Sequence, residues 1–343
     1  MVESFLVTLP TRAATSRAEP KPPLGVIDSL SSGFATVASH LSLILFPALL
    51  DLFFWLGPRL GVAPMMGRLI DYLSSFPASD PNSAQSITVM VELFKLAGER
   101  TNVFSFLSTS PLGIPSLMAG QFADPIPIGQ PLMLSISSFL LFFTLALALT
   151  ITGLLIGTTY FYFISVNFAD DERPSLTEIL KRVTVNWAKL TTFGIMVAVV
   201  IFFASLPVFL IIGLLRLLSP GLGEIGQAVW GAMMLWVLLY LAFSVHGMVL
   251  KNRGVFGAIW DSIRLVQWNL LSVMGLFIII LLLNWGLGYL WGLPRTDSWL
   301  TLAGIGGHAF VSTALVAATF AFYKDRYRWW VEMRQWLMTQ KKK

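Results

Sequence analysis

A chain of 343 residues that is 56% hydrophobic and only 12% charged, with a mean hydropathy of +0.75, has too little polar sequence to cover soluble cores, which argues against a water-soluble globular domain. Its formal charge of +5 comes from basic residues beside apolar runs rather than from a separate basic domain, which points to anionic lipid headgroups and not to nucleic acid. The lack of any cysteine excludes disulfides, thiolate metal sites and cysteine nucleophiles.

Residues 1–23 are polar and Pro-rich and read as a flexible N-terminus without a cleavable signal. A bilayer span needs about 20 mostly apolar residues, because each backbone amide in hydrocarbon must be satisfied within its own helix. Six stretches qualify, beginning with Ala38 to Gly57, followed by Leu132 to Phe163 and Thr191 to Leu215. The last three are Ala228 to Leu250, Leu271 to Leu293 and Trp299 to Tyr323. The sequence therefore predicts an all-α polytopic membrane helix bundle with an integral membrane domain over 24–323.

Placing both termini in the cytoplasm puts 17 of the 23 lysines and arginines inside, among them Arg12, Arg17, Lys251, Arg264 and Lys341 to Lys343. Four of the other six fall in one long loop, where charge has little topogenic weight. The predicted location is a bacterial-type plasma membrane, crossed several times.

An amphipathic segment leads into a span three times. Ile27, Leu30, Phe34, Val37 and Leu41 recur at helical spacing opposite Asp28 and Ser29. Leu176, Ile179, Leu180, Val183 and Trp187 oppose Lys181 and Arg182, and Phe256, Ile259, Trp260, Ile263 and Val266 oppose Asp261 and Arg264. Each is expected to lie in the headgroup region as an interfacial elbow. Ser175 and Glu178 form a capping box at the start of the second. Between the first two spans, residues 58–131 form an extracytoplasmic cap with two amphipathic helices, around Met65 to Leu73 and Met90 to Ala97. A turn-rich stretch, SPLGIPSLMAG, follows and reads either as a shield or as a re-entrant element.

Residues 324–343 interleave basic and aromatic side chains, which suits an anionic cytoplasmic leaflet. Trp187, Trp268, Trp329, Trp330 and Trp336 are candidate interface anchors. Gly153 with Gly157, and Gly288 with Gly292, have the spacing that lets helices approach closely, and Gly304, Gly306 and Gly307 read the same way. Asp170, Asp171 and Glu172 read as a solvated turn.

Ionisable groups inside a span are costly and mark candidate sites. Asp51 follows Pro47, which is expected to kink the first span, and it could bind a cation or proton or pair with Arg59. His40, His246 and His308 fall in three different spans, the first two toward the cytoplasmic side and His308 toward the outside, with no H-x-x-x-H pair, so no metal or other cofactor is expected. The candidate intramembrane polar site is Asp51, His308 and Asn284. No phosphate-binding loop, nucleophile elbow or dinucleotide fingerprint is present, and no catalytic residue is assigned.

The stretches GAIWDSIRLVQWNLLSVMGLFIIILLL and LTEILKRVTVNWAKLTTFGIMVAVVIFF resemble repeated units of the membrane domain attached to some glycerophosphodiester phosphodiesterases, and of related uncharacterised bacterial polytopic membrane families. The resemblance covers the first, third and fifth spans with their elbows, and that membrane domain has no assigned catalytic residues. The soluble phosphodiesterase barrel has no counterpart in this sequence, so its activity is not implied. The sequence points to a non-catalytic membrane module that binds partners or lipid. The alternatives are a permease or permease subunit for an amphiphilic solute, and a membrane-embedded lipid enzyme.

Overall fold

The computed structural model describes residues 21–76, 81–120, 125–168 and 174–340. Arg12, Arg17, the 170–172 acidic triplet and Lys341 to Lys343 lie outside them. Among the described residues the helices in chain order are α1 (Val26–Ser39), α2 (Leu45–Leu56), α3 (Ala63–Ser74), α4 (Pro81–Arg100) and α5 (Phe139–Val166). They continue as α6 (Leu176–Leu218), α7 (Pro220–Leu241), α8 (Ser244–Lys251), α9 (Val255–Trp268), α10 (Leu270–Trp291) and α11 (Thr301–Gln340). Five helices are long and apolar enough to cross a membrane, with α7 and α8 counted together, and a sixth span results if the bent α1 and α2 pair is one. The chain is a multi-pass helical membrane protein.

The central element is α11. In its most apolar stretch 72% of the residues are buried, against 6% in α6. Its small side chains let neighbours approach. Gly33 of α1 lies so close to Ala314 and Ala318 that an added Cβ would stand 2.4 Å from the Ala314 carbonyl. At one end of the bundle, called the lower end below, the Leu24 N–H donates to Asp325. At the other, the Trp55 indole N–H donates to the Thr296 carbonyl at 2.8 Å.

The three segments anticipated as elbows take different forms. The first, α1, packs along α11, burying Leu30 and Val37 and also Ser29, while Ile27 stays exposed. The chain then turns by 93° into a 3₁₀ turn and α2. The break lies at His40, whose Nδ1 is 3.1 Å from the Thr36 carbonyl and occupies an acceptor at the end of α1. It does not lie at Pro47, which falls in the first turn of α2, where a missing N–H costs nothing. The second segment is continuous with its span. The capping box at Ser175 and Glu178 starts a 43-residue helix, about 64 Å long at the usual rise. In the third, α9 and α10 are separate helices joined at Asn269, whose side chain donates to the Leu265 carbonyl at 3.0 Å.

The cap is built on α3 and α4, where Gly98 fits beside Ala63 and Met66. The strands β1 (Arg59–Gly61) and β2 (Met133–Ser135) pair in parallel, Arg59 opposite Met133. The strand β2 takes the first residues of the stretch read as the second span, whose helix begins only at Phe139. Leu60, Val62, Met65, Val103 and Ile136 form a small core that rests on the upper part of α5.

Candidate functional site

The stretch 103–120 leaves the cap and runs down beside α5. Gly153 and Gly157 make room for it. An added Cβ at Gly153 would meet the Leu107 carbonyl at 2.5 Å, and one at Gly157 would meet the Gly113 Cα at 2.6 Å. Gly157 is 18 residues into α5, about 27 Å from its upper end. This glycine pair therefore receives a short 3₁₀ helix (Val103–Leu107) and the irregular strap that follows it rather than a second long helix.

Irregular backbone within a membrane bundle survives only where protein satisfies its polar groups. The strap meets that condition internally at first. The Ser108 hydroxyl donates to the Ile114 carbonyl at 2.7 Å, and the Ile114 N–H donates to the Ser108 carbonyl at 2.9 Å. Beyond Ile114 the partner is Asp51. Its carboxylate accepts from the Leu117 N–H at 3.1 Å, the Met118 N–H at 3.0 Å and the Ser116 hydroxyl. That same hydroxyl oxygen accepts from the Ala119 N–H at 2.9 Å.

Asp51 is fully enclosed, with 0% exposure. Its hydrogen bonds go to the 116–118 turn rather than to Arg59, which could not have been foreseen from local spacing. His308 of α11 brings Nδ1 to 3.5 Å from Asp51 Oδ2, the oxygen that also accepts from the Leu117 N–H. Asn284 does not join them, because it lies on an exposed face of α10. Of the candidate site Asp51, His308 and Asn284, the structure brings together the first two, with the strap as third partner.

Further along α11 the buried polar groups continue. The Tyr160 hydroxyl donates to Thr313 Oγ1 at 3.2 Å. The Thr319 hydroxyl donates to the Val316 carbonyl at 2.6 Å, so its oxygen accepts from His246 Nε2 at 2.7 Å. His40, at the α1 bend, is exposed. The three histidines occupy three separate environments, and no group of three metal-ligating side chains occurs among the described residues.

Gly288 faces open space among the described residues, so no helix packs against it there. The α10 and α11 contact uses other glycines. Gly304 sits against the Trp291 carbonyl and Gly307 against the Trp291 ring. Trp187 is half-buried and holds α6 to α5, its indole N–H donating to the Ile151 carbonyl at 3.1 Å. Trp268 is 74% exposed. Trp329 and Trp330 face it across a cleft between α9 and α11, and Trp336 lies half-buried further along α11.

No family model matches this sequence, and no match was found among curated proteins or solved structures.

Proposed function

We propose that this chain is a non-catalytic module of a bacterial-type plasma membrane, with both termini cytoplasmic, that binds membrane lipid or a partner protein. The observation that carries the reading is the use made of Asp51. A carboxylate that transports or catalyses must exchange partners with a substrate, whereas this one is enclosed and already accepts from two backbone amides and a hydroxyl. Its physical effect is to hold irregular backbone inside the bundle. The likeness of the elbow-and-span units to a membrane domain without assigned catalytic residues supports the same reading.

A permease is the second reading, favoured by the 3.5 Å approach of His308 to Asp51, since a buried acid beside a base is what proton coupling requires. Reconstitution into liposomes separates the two. The module reading expects proton permeability equal to that of empty liposomes, together with a specific lipid or protein retained through purification in mild detergent. Proton flux carried by the protein and abolished in Asp51→Asn would establish the permease instead.

A further inference from the structure

The basic and aromatic tail of α11 is not used by the Asp51 strap, and it closes a cleft with α9 at the lower end of the bundle. Arg326 lines that cleft. Although only 3% exposed, it leaves Nε and Nη1 buried without a hydrogen-bond partner. One face of its guanidinium is stacked on the Phe322 ring at 3.4 Å.

The nearby carboxylates are committed elsewhere. Asp261, on the opposite wall, pairs with Arg253 at 2.9 Å, and Arg253 also donates to the Tyr327 hydroxyl at 3.0 Å. Asp325 acts on Arg326 through its charge, but its carboxylate accepts from the Leu24 N–H rather than from the guanidinium. Burying a guanidinium without an acceptor is expensive, and a planar donor fork is suited to the oxygens of a phosphate. Arg264, exposed on α9, adds a second positive charge at the rim.

The remaining walls fit a lipid. Trp268 and Asn269 stand immediately before the first residue of the α10 span, which is headgroup depth, and Trp329 and Trp330 face them. Indole rings favour this layer, where one edge is wet and the other apolar.

We propose that the cleft between α9 and α11 binds the phosphate of an anionic phospholipid, with Arg326 donating to the phosphate oxygens and the tryptophans flanking the glycerol and upper acyl chains. This rests on the lipid-binding form of the reading above and names the residue that does it.

The full chain, purified in mild detergent, would be offered phosphatidylglycerol, phosphatidylcholine or inorganic phosphate, and the bound ligand counted by native mass spectrometry. Phosphatidylglycerol is expected to be retained at least about tenfold over phosphatidylcholine, and Arg326→Gln to lose about tenfold in affinity, as for a charge-assisted hydrogen bond. Because a buried arginine can matter for folding, Trp268→Ala and Arg264→Gln, both at exposed positions, are the companion variants. Each is expected to weaken phosphatidylglycerol by about threefold at unchanged melting temperature.

Selective retention that survives Arg326→Gln and both companions would overturn this site while leaving a lipid-binding module intact. Retention of neither lipid nor protein by the wild type would remove the module reading itself. Inorganic phosphate displacing the lipid at equal concentration would overturn the phospholipid as occupant in favour of a free phosphate.

Discussion

Asp51 shows what one buried charge does when it is surrounded by donors. Replacing it with alanine leaves the Leu117 and Met118 amides unpaired, so Asp51→Ala is expected to cost about 3 kcal/mol of stability. Ser116→Ala, which keeps both amide bonds to the carboxylate but removes the hydroxyl and with it the acceptor of the Ala119 N–H, is expected to cost about 1–2 kcal/mol. Thermal unfolding in detergent ranks the two, and equal effects would contradict the role given to the carboxylate. The glycines supply a test with opposite signs. Gly157→Ala presses a methyl into the Gly113 backbone and is expected to destabilise by about 1–3 kcal/mol. Gly288→Ala meets open space and is expected to be neutral, or stabilising by up to about 1 kcal/mol through helix propensity.

These residues also mark where sequence reasoning stops. Asp51 and His308 could be singled out because charge is rare in apolar runs, but the turn that Asp51 binds is 65 residues away, and no periodicity points to it. Gly153 and Gly157 were recognisable as a close-approach pair. That the approaching partner is a strap follows from tertiary packing alone. Gly288 stands at the same spacing from Gly292 and yet faces open space among the described residues, because spacing reports what a surface permits and not what meets it. Asn284 stands out as a polar residue in an apolar span, but the rotation of α10 that turns it outward has no local signature.

At the scale of elements, apolar length was the legible quantity, and it located each long apolar helix but not its ends, α5 beginning only at Phe139, α6 already at Leu176 and α11 running on to Gln340. Their bends were not legible. Amphipathic patterning is the same for a helix lying flat in an interface and for one that runs straight on into a span with one face against a neighbour. In α6 the Trp187 indole on Ile151 and the Lys189 ammonium on the Asn252 side chain at 2.6 Å hold the lower part against α5 and the α8 to α9 joint, so the helix continues without turning. Spin labels at residues 178 and 217 are therefore expected at most about 58 Å apart, from 39 residues at the helical rise less any shortening by a kink at Pro207. A distance below about 45 Å would mean that α6 bends as an elbow. The absence of native cysteine allows such labels to be introduced singly.

For the whole molecule, the arrangement is a scaffold around α11. The bent α1 and α2 pair runs along it, the strap ties α2 to α5, and α6 and α7 stand outside with most of their apolar surface uncovered by the chain. Lipid is the solvent that such a surface requires. The molecule thus has an upper end carrying the cap and a lower end carrying the Arg326 cleft, and the functional reading depends on these ends facing opposite compartments. Single cysteines at Gln85 in the cap, at Pro22 and at Met338, treated with a membrane-impermeant maleimide, test this directly. In intact cells Gln85→Cys is expected to react, while Pro22→Cys and Met338→Cys react only after lysis. Reaction of Gln85→Cys and Met338→Cys from the same side of the membrane would contradict the account.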